Sequence, residues 1–266
     1  MSKDDVPDRL WHYTTTDGLL GILGTGKMWA TDAMYLNDSR ELLEGADRLA
    51  WEAATAVADP TPNPSQVRRL WLDLHRVLGA DATVKLPEQG PYVACFCSEG
   101  DLLSQWRGYA SGSGFAIGFT GPGLQTLAES LRGTLLKVVY DTPKSGDDAL
   151  FRSSALTVGE SGRHIIPAPE DLARFKHRAF REEQEWRLVV SEGSALAPQG
   201  KLAPLFRPGV LGVTPYIQIE LGPDSLVEVM VGPGGDQELR RLAVERLLAS
   251  SRIPAVTTVS EAPFRG

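Results

Sequence analysis

Residues 92–119 read YVACFCSEGDLLSQWRGYASGSGFAIGF, and their pattern decides the fold class. The two runs YVACFC and GFAIGF have the length and the aromatic, β-branched and small apolar residues of buried strands. Between them a short helix is predicted over 101–109, followed by a flexible SGSG. Further along the chain, LLKVVY, EWRLVV, YIQIEL and VEVMVG continue the strand pattern. Helices are predicted between them over 122–132, 169–181 and 236–250. Strands clustered in this way, without regular alternation with helices, predict an α+β fold with mostly antiparallel strands.

Toward the N-terminus, LWHYT (10–14) reads as a strand, and TTTDGLLGIL (14–23) as a short helix capped by Thr and Asp and stopped at Gly24 and Gly26. Lys27–Thr31 is predicted to be extended. Asn37-Asp38-Ser39 opens a helix to about Ala58, with Asp38 and Glu41 spaced as a capping box. After the break DPTPNPS, Val67, Leu70, Trp71, Leu74, Val77 and Leu78 recur at helical spacing, stopped by Gly79. Residues 38–85 are therefore expected to be a helical insertion on a sheet-rich body. Segments 141–165 and 192–213 read as long loops. With no interdomain linker, 1–266 is expected to be a single domain.

Composition narrows the function classes. The chain has 266 residues, 42% of them hydrophobic, and a net charge of −7 without a long basic run. A broad phosphate-tracking surface is not expected, although nucleic acid could be held at one small site. No stretch approaches the roughly 20 apolar residues of a membrane span. MSKDDVPDRL lacks the apolar core of a signal peptide, so a cytoplasmic location is expected. Cys95 and Cys97 lie two apart in a strand, which suits packing better than a disulfide. The four His show no ligand spacing, and no metal site is expected.

Three segments carry unusual polar residues. In FREEQEWRLVV (180–190), Glu182, Glu183 and Glu185 sit where a predicted helix hands over to a strand. In an extended chain Glu183, Glu185 and Arg187 point to one side. Two such carboxylates repel, which raises the pKa of one and suits it to acid–base work; alternatively, one stays ionised and stabilises a developing cation. The spacing also describes an exposed acidic helix end paired with Arg178, Arg181 or Arg187. In the second segment Ser98, Ser104, Gln105, Arg107 and Tyr109 surround Trp106, forming either a stacking platform or an amphipathic helix whose Trp fills the core. In LWHYT, His12 and Thr14 face away from Trp11 and Tyr13; a lone strand His is more often structural. SGSG is no phosphate loop, because it lacks GxxxxGK[ST] and precedes a strand.

Taken in order, HYTTTDGLLGIL with GKMWA and YLND, then ACFCSEGDLLSQWRGYASGSGFAIGF, then FKHRAFREEQEWRLV resemble the bacterial family of unknown function DUF2971, over about Leu10 to Pro233. The HYT strand, GLLGIL helix and GK turn are also similar to the opening of the ADP-ribosyltransferase superfamily. That resemblance implies a split, mostly antiparallel sheet, NAD as substrate and no metal. It carries the superfamily's first-strand His to His12, its second motif to Ser98–Tyr109 and its ExE to Glu183-Gln184-Glu185. The implied roles place Glu185 on the ribose or its cationic transition state, Glu183 on the acceptor, His12 on the adenosine ribose, and Trp106 or Tyr109 against nicotinamide. Tyr13, Thr14, Ser98 and Arg107 complete the implied nucleotide-binding set. One departure stands: where toxin-like members read Ser-Thr-Ser, this strand ends Cys97-Ser98.

Three functions follow from these residues. The first is an NAD-consuming ADP-ribosyltransferase or glycohydrolase, with a protein, nucleic acid or small molecule as acceptor and a role as a toxin, a defence effector or a small-molecule modifier. The second is another carboxylate-dependent enzyme acting on nucleotides or sugars. The third is a non-enzymatic binding or interaction domain in which ExEWR is a structural ion-pair network.

Overall fold

A computed structural model of the chain describes residues 6–36, 83–84, 90–110, 114–140, 157–158, 164–166, 173–191, 196, 202–209, 212–222 and 225–263. In chain order its elements are β1 (Arg9–Thr14), α1 (Thr16–Thr25), β2 (Lys27–Asp32), β3 (Thr83–Val84), β4 (Tyr92–Cys97), α2 (Leu103–Tyr109), β5 (Phe115–Thr120), α3 (Gly121–Ser130) and β6 (Thr134–Lys137). They continue with β7 (Thr157–Val158), β8 (His164–Ile166), a 3₁₀ turn (Arg178–Glu183), β9 (Glu185–Val190), β10 (Leu205–Gly209), β11 (Gly212–Glu220), β12 (Leu226–Val231), α4 (Gln237–Ser251) and β13 (Val256–Val259).

Local chemistry sets the first hairpin-like unit. The Thr15 side chain accepts the Gly18 N–H at the start of α1, filling one of the helix's orphan donors. Gly26 ends the helix in the left-handed region at φ 65°, and its N–H bonds Ile22, a conformation that a residue without Cβ adopts at no steric cost. The helix then buries Leu19, Ile22 and Leu23 on the sheet.

Ten strands form one sheet, running β10-β11-β2-β4-β1-β5-β12-β13, with β9 against β4 and β6 beyond β9. The fold is α+β, and the pairings are antiparallel except for β12 with β13, which run parallel across α4. The sheet is split. β4 pairs along its whole length with β9 on one edge. Its other edge is divided: β2 takes Tyr92 and Val93, and β1 takes Cys97. Neither strand partners Ala94–Phe96, so β1 and β2 diverge there.

One face of the sheet carries the larger core. Leu10, Phe96, Ile117, Trp186, Leu188, Ile219 and Val229 pack there with Leu19 and Leu23 of α1, Leu124 and Ala128 of α3, and Val244 and Leu248 of α4. On the other face Trp11, Tyr13, Cys97, Trp106, Ala110 and Ala116 form a second cluster. Gly114 lies where these layers meet: a Cβ on it would stand 2.3 Å from the Thr14 carbonyl and 2.6 Å from the Ala110 side chain, which accounts for the last glycine of SGSG.

Several expectations change. The helix predicted over 169–181 is absent from 173–177, where Val139 and Phe175 form an isolated bridge and the Lys176 N–H bonds the Val139 carbonyl; among the described residues of this segment only the 3₁₀ turn at 178–183 is helical. Tertiary pairing overrides helix propensity there. The loop expected over 192–213 contains β10, whose Pro208 is tolerated because β10 is an edge strand. The loop expected over 141–165 contributes β7 and part of β8 to a three-stranded sheet with β3. The helices predicted over 38–58 and 66–78 lie outside the described residues. No helix among the described residues is long and apolar enough to cross a membrane.

Trp106 ties the second cluster together. It is 0% exposed, meets Tyr13 edge-on at 4.7 Å and donates its indole N–H to Asp101 at 2.7 Å. Trp106→Ala should cost about 3–5 kcal/mol, the range for large aromatic truncations in a packed core, and lower the midpoint of urea unfolding accordingly. A change under 1 kcal/mol would show that this cluster contributes little to the fold.

Candidate functional site

The divided edge of β4 opens a cavity of about 740 Å³, within the range of small-molecule sites. It is lined by His12 and Thr14 of β1, by Gly18, Gly21 and Ile22 of α1, by Lys27, Trp29 and Thr31 of β2, and by Cys95 of β4. Tyr109, Lys176, Glu183, Glu185 and Arg187 close one side. His12, Tyr109 and Glu185, from three separated segments, therefore meet at one cavity.

His12 bridges the split. Its Nδ1 lies 2.9 Å from the Cys95 carbonyl, on the stretch of β4 that neither neighbour strand partners. A carbonyl only accepts, so Nδ1 carries the proton and Nε2 is left as an acceptor. Burial holds the ring below the ordinary histidine pKa, against the opposing pull of that carbonyl, so the imidazole is neutral at pH 7.

The two glutamates do not reach the cavity by simple strand alternation. Glu183 ends the 3₁₀ turn, and Gln184 is left-handed at φ 45°. That sparsely populated conformation is held by three bonds: Gln184 N–H to Arg181, Ser98 N–H to the Gln184 carbonyl at 3.2 Å, and Ser98 Oγ to Gln184 Oε1 at 3.0 Å. The turn swings both carboxylates onto one ammonium. Lys176 Nζ donates to Glu183 Oε2 at 2.7 Å and to Glu185 Oε2 at 2.8 Å. Glu183 also accepts the Tyr109 hydroxyl at 3.3 Å. Arg187, 1% exposed, grips Glu185 through Nε at 2.8 Å and Nη2 at 3.2 Å, and donates Nη1 to the Ala173 carbonyl.

This arrangement decides the protonation states. Burial alone would raise the Glu185 pKa, but Arg187 and Lys176 outweigh it and bring it down to about 2. Glu185 is thus ionised at neutral pH, which excludes for it the raised pKa that two repelling carboxylates would produce. Burial raises the Tyr109 hydroxyl, partly offset by Lys176. It also pushes the Cys97 thiol up to about 12 and Cys95 well above its usual value, the latter with help from the Glu185 charge. Both cysteines are neutral thiols, poorly suited to nucleophilic chemistry.

The remaining expected residues divide into lining and support. Thr14 lines the cavity. Tyr13 touches it, but its hydroxyl donates to the Glu99 carbonyl and accepts the Leu102 N–H, both at 2.9 Å, fixing the loop into α2. Trp106 is sealed in the core, so it cannot stack on a ligand; Tyr109, 39% exposed, keeps an open face. Ser98 serves the Gln184 turn, and neither Ser98 nor Arg107 is part of the lining. Lys176 was not legible as a site residue: RFKHRAFR reads as a locally basic helix, and only its non-helical path brings Lys176 to the glutamates. Tyr140, whose hydroxyl accepts the Glu185 N–H at 2.7 Å, carries no sequence signal either. Among the described residues no group of three or more His, Cys, Asp and Glu is placed to hold a metal ion.

The ion-pair cluster makes stability depend on pH with a defined sign. Glu185 binds its proton near 4.5 in the unfolded chain and near 2 when folded. Its contribution, on the order of 3 kcal/mol, is present above about pH 5 and lost as pH falls toward 2. Urea unfolding of wild type and Glu185→Gln at pH 6, 4 and 3 should show wild type losing stability more steeply. Parallel slopes would mean that the pairing does not act on Glu185. Arg187→Ala, which strips a buried partner from Glu185, should cost about 3–5 kcal/mol at pH 7, read from the same unfolding curves.

No curated relative matches the sequence. Among solved structures the chain is similar to DarT of Thermus sp. 2.9 in complex with ADP-ribosylated ssDNA, with 13% identity, 96% of this chain and 93% of that chain covered, and a TM-score of 0.36. A likeness of that size transfers no chemistry. At the level of sequence, residues 105–188, which hold QWRGY and ExEWR, match the model of the family DUF2971, described as a protein of unknown function.

Proposed function

We propose that the cavity binds NAD and that the protein breaks its nicotinamide–ribose bond, passing ADP-ribose to water or to another acceptor. One observation carries this reading: a neutral His12, an open Tyr109 face and the Glu183–Glu185 pair line a single cavity at a split in an antiparallel sheet. The residues suit the reaction. Nicotinamide leaves as a neutral base by taking the electron pair of the glycosidic bond, and the ribose gains oxocarbenium character, as in glycoside cleavage. An ionised carboxylate stabilises that charge. Glu185 is ionised at neutral pH, and its cations fix its position. Glu183 is the more accessible carboxylate, its side chain 15% exposed against 5% for Glu185, which supports it as the group that receives the acceptor's proton. Nε2 of His12 accepts a ribose hydroxyl, and Tyr109 offers its face to a planar ring.

A specific observation favours a second reading. The two glutamate charges are matched by Lys176 and Arg187, so the cluster as it stands has no surplus negative charge for a cation. A binding domain that holds a nucleotide without cleaving it fits that balance.

Nicotinamide release separates the two. Purified protein incubated with NAD, with and without cell extract as an acceptor source, should release nicotinamide. Glu185→Gln and Glu183→Gln should each lower the rate by about 10²–10³, the usual loss when preorganised electrostatics are removed, with melting curves controlling for the fold. Binding of NAD by wild type without release under any acceptor condition would establish the binding domain instead.

A further inference from the structure

Across the cavity from the glutamates, β2 and β10 bring together a guanidinium, an indole and a hydroxyl with no acid among them. Arg207 extends over β11, where the register sets it opposite Thr214 and sets Tyr216 opposite Thr31. Its Nη2 donates to Thr31 Oγ1 at 2.9 Å, and its guanidinium lies 5.6 Å from the Trp29 ring centroid. Its Nε is buried without a hydrogen-bond partner, and among the described residues no carboxylate pairs with it. Leaving such a donor unmet is costly. Guanidinium offers five donors in a fork that matches phosphate.

The surroundings point the same way. Trp29, 46% exposed, keeps its ring in place through Tyr216, whose ring lies 4.6 Å away at 39°. Lys27 shares the Trp29 and Thr31 side of β2 and lines the same cavity; its partner Glu220, 3.4 Å away, is 81% exposed and screened by water. At the other end the charges of Glu183, Glu185, Lys176 and Arg187 cancel. Among the charged groups of the lining, which also include Asp17, Arg207 is a cation with no carboxylate partner among the described residues.

Distance fits a ligand with separated functions. β2 and β9 flank β4, roughly 10 Å apart, and the Thr31 partner Val93 and the Glu185 partner Cys97 are four residues apart, about 13 Å along the strand. The backbones of Thr31 and Glu185 thus lie roughly 16 Å apart, a span that the side chains reaching in from both ends shorten to one a phosphate-bearing nucleotide bridges.

We propose that Arg207, with Thr31, Trp29 and Lys27, is a phosphate-recognition subsite that holds the pyrophosphate of the nucleotide and sets its direction in the cavity, placing the ribose toward Glu183 and Glu185. The assignment rests on the nucleotide reading above and adds its orientation.

Calorimetric titration of the full chain with inorganic pyrophosphate and with ADP tests it without requiring catalysis. Wild type should bind both, Arg207→Ala should bind about 10–100-fold more weakly, and Arg207→Lys should fall between them. Equal binding by wild type and Arg207→Ala, or no binding of either probe by wild type, overturns the subsite. The reaction stands or falls separately. ADP binding that depends on Arg207 without nicotinamide release keeps the subsite and removes the reaction; nicotinamide release with an unchanged KM for NAD in Arg207→Ala keeps the reaction and removes the subsite.

Discussion

The divided edge of β4 is the constraint on which the site depends. A strand edge has one row of donors and acceptors, and two neighbours cannot use the same residues. β2 takes Tyr92 and Val93, β1 takes Cys97, and the backbone between them is left facing a gap. A buried carbonyl without a partner is costly, and His12 meets that cost at Cys95 with a side chain. The same bond sets the tautomer and direction of the imidazole. α1 lines the gap with two glycines: a Cβ on Gly21 would meet nothing within 4 Å, whereas one on Gly18 would come within 1.9 Å of Thr14 Oγ1, so the helix packs closely on β1 there. Backbone pairing thus creates the space, and the residues that satisfy the leftover backbone become its lining.

The second organising interaction is the Lys176 ammonium. Glu183 and Glu185 would repel each other, and a buried carboxylate beside another would ordinarily take up a proton. Lys176 bonds one oxygen of each, and Arg187 takes Glu185 from the side. A network in which every member is satisfied rigidifies its surroundings. Here it draws in the strained Gln184 turn, the Ser98 loop and the Tyr140 hydroxyl, so elements far apart in sequence share one set of hydrogen bonds. The cost is electrostatic: the cations that hold the carboxylates also neutralise them. Whether such a cluster serves catalysis or binding turns on the ability of a ligand to displace or reorganise Lys176.

The cavity is consequently asymmetric. One end is a closed network of four charges whose donors and acceptors largely meet each other. The other is an open arrangement of an indole, a hydroxyl and a guanidinium with an unused donor. A ligand that satisfies the second and presents a polar ring oxygen or hydroxyl to the first would use both, as the nucleotide proposed above would.

Much of this was legible from residues. The short apolar runs in YVACFC, GFAIGF and EWRLVV identify buried strands, because burial on both faces leaves a compositional trace; the Thr15 and Gly26 caps mark α1 for reasons of local hydrogen bonding and backbone conformation. SQWRGY and ExEWR stand out because polar residues embedded among strand residues demand an explanation. Other features depend on long-range partners and leave no local trace. The stretch before the 3₁₀ turn carries helix-forming residues, yet Phe175 and Lys176 are extended because Val139 supplies a backbone partner. Trp106 and Tyr109 share one motif, and packing alone makes the first a core residue and the second a cavity wall. Arg207 lies in a Gly- and Pro-rich segment that reads as a loop, and its position follows from an edge strand that propensity does not favour. Sequence by itself determined which segments are strands and which polar residues are unusual, since those depend on neighbours a few positions away; only the tertiary structure decided which of them face the same cavity, because that depends on how one edge of β4 is shared.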